Sequence, residues 1–211
     1  YDAATSEELA EALENAVDGS TINITEGGSY DIGSLDIISA NGLTITNTSG
    51  ELVTLTGGIE IDPGGSYEGA LAGGSLAIVF EGITIEGSGS SEGLPAYGGG
   101  ILVRSGDVML INCTLRNLEA TGAGGALYVG TFCSVTLLDC LLENNTAPLG
   151  GAAYIEDGGF ISLISTTLCG NGVELEEQIY GAYDIDEESC IVAECTDNDS
   201  DGTPDGCAAL P

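Results

Sequence analysis

The sequence repeats one short phrase three times: residues 99–103 read GGILV, residues 124–128 read GGALY, and residues 150–154 read GGAAY. The paired glycines therefore recur at an almost constant interval. A fixed period in this range is typical of solenoids, in which each repeat buries its apolar face only against its neighbours. The repeat predicts a stacked solenoid over this part of the chain.

Each repeat closes on an asparagine, at the evenly spaced positions Asn117, Asn144 and Asn171. Asparagine tolerates left-handed backbone angles, and its amide can hydrogen-bond to a copy one coil away. We therefore expect the three asparagines to lie in one column at consecutive corners.

Alignment of the repeats on these asparagines brings out short strands. Apolar residues alternate with others, as in a strand with one buried face, and a break after the second apolar position indicates a bend into another strand. The aligned sets are Val108, Leu110, Cys113 and Leu115; Val135, Leu137, Cys140 and Leu142; and Ser162, Ile164, Thr167 and Cys169. Residues 101–103, 127–129 and 153–155 supply a third strand. Three strands in about 26 residues predict an all-β, right-handed parallel β-helix, with about six coils between residues 20 and 175.

Both ends suit caps over exposed strand edges. Residues 1–19 hold the strongest helical pattern, at 6–17, with Ser6 expected as N-cap and Leu9, Ala12, Leu13 and Val17 as its apolar stripe. Residues 176–211 form the predicted C-terminal cap.

Seven cysteines in this acidic chain indicate disulfides and an oxidising compartment. We expect Cys169, Cys190, Cys195 and Cys207 to tie down the C-terminal cap, with Cys195–Cys207 and Cys169–Cys190 as the favoured pairs, although spacing leaves connectivity open. We expect Cys113 and Cys140 to stack as buried thiols rather than a bridge, which leaves Cys133 unpaired.

The C-terminal region also contains a calcium-type pattern. Asp197, Asp199 and Asp201 alternate, Gly202 follows, and Asp205 offers a late ligand. This is the first half of an EF-hand loop, but Ala208 occupies the place of the bidentate glutamate, so a complete EF-hand is excluded. The pattern predicts bound calcium, with a solvated acidic turn as the alternative.

Parts of the chain resemble known families. The helix followed by DGSTINI at residues 18–24 resembles the N-terminal cap and first coils of the pectate-lyase-like β-helix superfamily. The Gly-Gly-Ala and Cys-x-x-x-Asn phrases resemble repeats of secreted or surface bacterial β-helix proteins, including polymorphic outer-membrane proteins. The tail from TLCGN at 167–171 resembles the ending of secreted planctomycete-type β-helix proteins, and its aspartate loop is similar to thrombospondin type 3 and dockerin repeats. The resemblance implies fold and export, whereas β-helices serve lyases, hydrolases, adhesins and structural proteins alike.

The charge is extreme, with 34 acidic residues, two basic residues and a net charge of −32. Nucleic acid and anionic membranes would be repelled. No run approaches the roughly 20 apolar residues that a membrane span needs, so we expect none. The chain begins without a signal sequence, and we expect a mature exported product.

Residues with catalytic potential are few. There is no histidine, and Arg104 and Arg116 are the only cations among the side chains. Paired carboxylates can hydrolyse glycosides, and five of them are expected to line one side of the coils, although a solvated acidic surface is the favoured interpretation. These are Asp107, Asp139, Glu143, Glu156 and Asp157.

Aromatic residues offer a second kind of site. Tyr128 and Tyr154 occupy the same place in successive phrases and should stack. An inward column that fills the core is the favoured interpretation, and an exposed ladder that binds sugar rings is the alternative. In the loop at residues 86–97, Leu94 and Tyr97 are candidate anchors for self-association, with an ordinary surface loop as the alternative.

These features predict a non-catalytic extracellular or cell-surface module with a structural or adhesive role, such as a subunit of a coat or filament. Its expected partners are further copies of the chain or a surface polysaccharide. A polysaccharide-active enzyme, lyase or glycoside hydrolase, or a carbohydrate-binding module is the alternative.

Overall fold

The computed structural model describes residues 1–37, 42–62, 77–87, 95–172 and 178–196. Within these ranges the chain forms helix α1 (Ser6–Glu14) and nineteen strands. The strands are β1 (Asp2–Ala3), β2 (Thr21–Ile24), β3 (Gly28–Ile37), β4 (Thr44–Asn47), β5 (Val53–Ile61), β6 (Ile78–Glu81), β7 (Thr84–Glu86), β8 (Ile101–Val103), β9 (Asp107–Ile111), β10 (Thr114–Arg116), β11 (Leu127–Val129), β12 (Ser134–Leu138), β13 (Leu141–Glu143), β14 (Ala153–Ile155), β15 (Phe160–Ile164), β16 (Thr167–Cys169), β17 (Ile179–Tyr180), β18 (Tyr183–Ile185) and β19 (Cys190–Val192).

The strands build a parallel β-solenoid of about five turns, which confirms the predicted fold class. Face A is an eight-stranded sheet in the order β1-β2-β4-β6-β9-β12-β15-β18. Face B runs β7-β10-β13-β16-β19, and face C runs β8-β11-β14-β17. Faces B and C meet at the long strand β5, which pairs with β7 through one half and β8 through the other.

The interior is filled by the inward side chains of all three faces. In the coil of β8, β9 and β10 these are Ile101, Val103, Val108, Leu110 and Leu115, all buried. Their partners one coil on are Leu127, Val129, Val135, Leu137 and Leu142. Like residues therefore stack along the axis, and each coil covers the apolar surface of the next.

The predicted alignment of the third repeat is wrong by one residue. Val135 pairs with Ile161 and Leu142 pairs with Leu168, so the inward residues are Ile161, Leu163, Thr166 and Leu168 rather than the residues that follow them. The cause is a change in corner length. Glu119 and Ala123, in the corner between β10 and β11, pair with Thr146 and Leu149 in the corner between β13 and β14. The segment from Thr146 to Leu149 is one residue shorter than the segment from Glu119 to Ala123, so the later corner is shorter.

The predicted asparagine column is correct for two coils and wrong for the third. Asn117 and Asn144 follow paired residues and have left-handed φ angles of 54° and 56°. The next member of this column is Gly170, with φ 66°. Asn171 lies one position further along the chain. It is buried, and its side chain accepts a hydrogen bond from the buried Asn145 side chain.

Helix α1 lies over the N-terminal end of the solenoid, as predicted, and packs on β1, β2 and β3. Its N-cap is Thr5 rather than Ser6: the Glu8 backbone N–H donates to the Thr5 hydroxyl at 3.2 Å. The Ser6 hydroxyl instead accepts from the backbone N–H of Asp31 at 3.1 Å. Of the predicted apolar stripe, Leu9 and Ala12 are buried and Leu13 packs partly buried against the core, whereas Val17 lies beyond the helix and is exposed.

Candidate functional site

Four tyrosines form a ladder at the outer side of face C: three lie on its strands, and Tyr97 lies in the segment before β8. Tyr128, Tyr154 and Tyr180 occupy equivalent positions on β11, β14 and β17. Ring centroids are 5.1 Å apart for Tyr128–Tyr154 and 5.0 Å apart for Tyr154–Tyr180, with near-parallel planes in both pairs. Tyr97 adds a tilted ring 4.9 Å from Tyr128. We call these four residues the tyrosine ladder.

The tyrosine ladder faces outward, so the favoured interpretation of an inward column is wrong. Side chains alternate along a strand, and in β11 the buried positions are Leu127 and Val129. Tyr128 is left on the opposite side, and Tyr154 lies likewise between Ala153 and Ile155. Aromatic residues at this strand position fit either environment, so residue type alone could not decide the direction.

The rings of the tyrosine ladder differ in what they present to solvent. Tyr128 and Tyr154 each have a neighbouring ring on both sides, so they present mainly their edges. Tyr97 and Tyr180 end the row of ring contacts found in the described residues, and they are 49% and 50% exposed. The terminal rings are therefore the ones with a face available for stacking.

A single carboxylate fixes the middle of the tyrosine ladder. The Tyr128 hydroxyl donates to Glu156, and so do the backbone N–H and hydroxyl of Thr131, at 2.9 and 2.6 Å. The bond from the Thr131 hydroxyl, followed by the bond from Tyr128 and then that from the Thr131 N–H, lowers the pKa of Glu156. Burial, followed by the bond to Glu156, raises the pKa of Tyr128. At neutral pH this pair is a neutral phenol donating to a carboxylate.

Arg104 completes an open depression beside the tyrosine ladder. Its guanidinium forms an ion pair with Glu60 on β5, and Arg104 also contributes to lowering the pKa of Glu156. The depression is lined by Tyr97, Leu102, Arg104, Tyr128, Thr131 and Glu156. It combines an aromatic wall with polar groups of both charges, an arrangement typical of sites that orient a polar ligand.

The second arginine is also paired with a carboxylate. Arg116 Nη2 donates to Glu86 at 3.0 Å, and the Asn117 side-chain amide donates to the same carboxylate at 3.2 Å. The bond from Arg116 is the main reason that the pKa of Glu86 is lowered. Each arginine is therefore held in an ion pair with a glutamate.

The five acidic residues expected on one side of the coils are distributed over different places. Asp107 begins β9 on face A, Glu143 ends β13 on face B, and Glu156 lies beside the tyrosine ladder. Asp139 and Glu143 line a separate depression near Cys195. The expectation of a single acidic side is therefore wrong, because corners turn successive parts of each coil to different faces.

Cys169 bonds to Cys195 with a Cα–Cα distance of 5.0 Å, so the favoured pairing is wrong. The register places Cys190 beside Thr167 and Val192 beside Cys169. Cys190 thus lies two residues along the strand, at about 3.3 Å per residue, from the position facing Cys169. Cys190 is itself disulfide-bonded.

Glu143, Cys169 and Cys195 bring ligand-type atoms within 4.8 Å of one another. Both sulfur atoms are committed to the disulfide, so this group offers one carboxylate and no thiolate. It does not form a metal centre of the thiolate type.

The prediction of buried thiols is confirmed. Cys113 and Cys140 lie one coil apart, and both are buried and free, as is Cys133. Burial raises the pKa of Cys113 to about 11, that of Cys133 to about 11 and that of Cys140 to about 12. Since the thiolate is the reactive form, these cysteines are protonated core residues at neutral pH.

Several predicted site residues lie outside the described residues. These are Leu94 and Cys207, together with the predicted calcium ligands Asp197, Asp199, Asp201 and Asp205. The calcium site and the contribution of Leu94 to assembly stay predictions.

Comparison with protein families, with curated proteins and with solved structures finds no match to this chain. The structure itself defines the class as a parallel β-solenoid protein. In the described ranges, no helix is both long and apolar enough to cross a membrane.

Proposed function

We propose that this chain is a non-catalytic extracellular or cell-surface module that attaches to neutral polysaccharide through the tyrosine ladder. The observation that carries the proposal is the outward stack of Tyr97, Tyr128, Tyr154 and Tyr180 on a rigid parallel sheet. Sugar rings have apolar C–H faces that pack on aromatic rings, and sugar hydroxyls need hydrogen-bonding partners at the edges of the site.

The terminal rings are the proposed contact residues. Tyr97 and Tyr180 are half exposed and lie at opposite ends of the row, so a sugar ring can stack on the free face at either end. Tyr128 and Tyr154 lie between the two terminal rings and fix their separation. Because Glu156 fixes Tyr128 through its hydroxyl, little side-chain freedom is lost on binding.

Charge supports a neutral ligand. A net charge of −32 repels polyanions, including acidic polysaccharides, over distances set by the salt concentration. Within the depression, Arg104 is already paired with Glu60 and lies near Glu156. A uronic acid carboxylate would therefore meet local negative charge as well as the field of the whole molecule.

The test is native affinity electrophoresis in gels that contain hydroxyethyl cellulose, xyloglucan, galactomannan or polygalacturonate. We expect at least one neutral polymer to retard the protein and polygalacturonate to leave it unretarded. The substitution Tyr180→Ala or Tyr97→Ala removes an aromatic face on which a sugar can stack. Each should weaken binding about tenfold, which corresponds to a loss of roughly 1.4 kcal/mol of binding free energy.

Two controls separate ring stacking from general damage. Tyr154→Phe keeps the inner ring and loses only its hydroxyl, so binding should be retained. Tyr1→Ala removes a tyrosine of similar exposure, 52%, near the N-terminal helix, and it should also leave binding unchanged. Retardation by none of the neutral polymers, or equal weakening by Tyr1→Ala, would overturn the proposal.

A polysaccharide-active enzyme is the second candidate. It is favoured by the presence of Glu156 and Arg104 in the same depression as the tyrosine ladder. Against it, Glu156 accepts three hydrogen bonds that lower its pKa, which opposes a role as general acid. Turnover of any polymer in the same panel, lost in Glu156→Gln and retained in Glu119→Gln, would favour the enzyme.

Self-association is a separate proposal and concerns the loop that ends at Tyr97. Tyr97 already contacts Tyr128 through a tilted ring, so a contact between copies would compete with or extend the tyrosine ladder. Sedimentation of the protein and of a variant lacking residues 87–95 tests this. Monomers at all concentrations would exclude assembly through this loop and leave a single-copy adhesive module.

A further inference from the structure

Three neighbouring strands of face A are apolar on both of their sides. Strand β9 reads VMLI at residues 108–111, β12 reads VTLL at 135–138, and β15 reads FISLI at 160–164. A strand with one side in water would alternate apolar and polar residues, whereas near-continuous apolar runs are typical of parallel strands that are covered on both faces. The sequence of these strands therefore suits a sheet with a partner on its outer side.

The outward aliphatic side chains line up from coil to coil. Ile111 pairs with Leu138, and Leu138 pairs with Ile164, at about 4.8 Å per coil. All three alternate with buried residues of their strands, and Ile164 is exposed, as is Phe160 on the same side of β15. We call Ile111, Leu138 and Ile164 the apolar column.

Face B does not repeat this arrangement. There the outward residues of β10 and β13 include Arg116 and Glu143, which pair with each other across the coils. The apolar column is therefore a local feature of a chain whose net charge is −32. Contiguous apolar patches with polar rims mark interaction surfaces on soluble proteins.

Carboxylates border the apolar column. Glu81 pairs with its first residue, Asp139 follows its second residue along the chain, and Asp186 lies beside its third residue on the next coil. In the part of the chain that the structure describes, none of these three carboxylates forms an ion pair. The surface therefore combines an apolar centre with a negatively charged border.

We infer that the apolar column and its border form a docking surface for a basic amphipathic segment of a partner protein. Apolar side chains of that segment cover the column, and its lysine or arginine side chains meet Glu81, Asp139 and Asp186. A second copy of the chain fits less well, because it brings a further net charge of −32 to the same surface. The surface lies on face A, so its test is independent of polysaccharide binding by the tyrosine ladder.

The probe is a fluorescein-labelled helical peptide of leucine and lysine with its leucines on one face. Such a helix repeats apolar side chains at each turn of about 5.4 Å, close to the coil spacing of about 4.8 Å. A second peptide has serine in place of each leucine and carries the same charge. Fluorescence anisotropy measures the binding of both peptides to the full chain.

The main variant is Leu138→Thr/Ile164→Thr. Threonine suits a strand, and Thr136 already occupies an outward position of β12. The matched control is Leu52→Thr/Leu149→Thr, which changes two exposed leucines elsewhere. Asp139→Asn tests the charged border without changing the column, and Glu119→Gln is its control at another exposed position.

We expect the leucine–lysine peptide to bind at least about tenfold more tightly than the serine–lysine peptide. Leu138→Thr/Ile164→Thr should weaken its binding about tenfold, whereas Leu52→Thr/Leu149→Thr should leave it unchanged. Asp139→Asn should weaken it about threefold and more than Glu119→Gln does, because the lost charge faces the bound peptide.

Two results would overturn the inference. Equal binding of the two peptides, or equal weakening by the two leucine pairs, would show that net charge alone attracts the probe. Sedimentation that finds a dimer of the unaltered chain, lost in Leu138→Thr/Ile164→Thr, would assign the surface to a second copy instead of a basic partner.

Discussion

Asn145 and Asn171 are joined across one coil: the side-chain amide of Asn145 donates to the Oδ1 atom of Asn171 at 2.8 Å. Both side chains are buried, and each also donates to a backbone carbonyl of the preceding coil, Asn145 to Leu115 and Asn171 to Leu142. Asn171 donates further to Gln178 at 3.0 Å. This polar ladder lies inside the corner between faces B and C and stabilises the stacking of three successive coils.

The polar ladder gives a prediction about two adjacent asparagines. Asn145→Ala should lower the free energy of unfolding by about 3 kcal/mol, because the Leu118 N–H and the Leu115 carbonyl both lose their bond to the buried Asn145 side chain. Asn144→Gly should change it by less than about 1 kcal/mol, since Asn144 is exposed and glycine suits its left-handed backbone. Urea unfolding measures both values, and equal losses would contradict the assignment of Asn145 to the buried ladder.

The Glu156 carboxylate predicts a pH-dependent contribution to stability. Because its pKa is lowered in the folded state, the contribution is complete above the ordinary glutamate pKa, about 4.3. It is lost as the pH falls through that value towards the folded pKa. Glu156→Gln should therefore be less stable than the unaltered protein by about 1–3 kcal/mol at pH 7, with a difference that shrinks below about pH 4.

The matched control for this titration is Glu119→Gln, which removes the same charge from an exposed position. Chemical unfolding of all three proteins from pH 7 to pH 3 provides the comparison. A deficit of Glu156→Gln that stays constant over this range would show that the loss comes from packing rather than from the ionised carboxylate.

The net charge of −32 predicts that salt stabilises the fold. Raising sodium chloride from 10 mM to 1 M shortens the screening length from about 30 Å to about 3 Å and weakens repulsion among the acidic side chains. The melting temperature should rise, and tetramethylammonium chloride should raise it similarly because screening does not depend on a specific ion site. A fall in melting temperature would contradict this prediction. It would show that salt weakens the ion pairs of Arg104 and Arg116 by more free energy than it recovers from the screened repulsion.

The disulfide between Cys169 and Cys195 closes a sequence separation of 26 residues. Loop-closure entropy for a loop of this length corresponds to about 3.5 kcal/mol of stabilisation. The double variant Cys169→Ala/Cys195→Ala should lose about this amount in urea unfolding. The control is Cys113→Ala, which removes a buried free thiol and should cost less, through lost packing alone.

The acidic loop predicts calcium binding by Asp197, Asp199, Asp201 and Asp205. Close carboxylates repel one another, and a divalent cation relieves that repulsion. We expect calorimetric binding at millimolar calcium or below and a melting temperature that falls on chelation. Asp199→Asn should weaken binding, whereas Glu26→Gln, which loses the same charge far along the sequence, should not. A heat signal absent at millimolar calcium, together with a melting temperature indifferent to chelator, would contradict the prediction.

Sequence periodicity predicted the strands correctly wherever the period was constant. Val135 and Leu137 follow Val108 and Leu110 by the same step as the asparagines, and the predicted pairing agrees with the structure. The periodicity failed where a corner gained or lost one residue, since a shift of one position reverses which side chains point inward. A constant period therefore predicts Asn171 in the column of Asn144, where Gly170 lies, and predicts Cys169 one position out of register in the third repeat.

The repeated phrases alone were enough to specify the solenoid, because apolar residues repeated at the coil length can be buried only by stacking each coil on the next. The strong negative charge and the interior thiols also followed from the sequence. The folded chain was needed to establish that Tyr128 faces outward, that Cys169 meets Cys195, and that Glu156 joins the tyrosine ladder to Thr131 in the corner between β11 and β12. These relationships join residues on different coils, and the number of residues at each corner sets which of them meet.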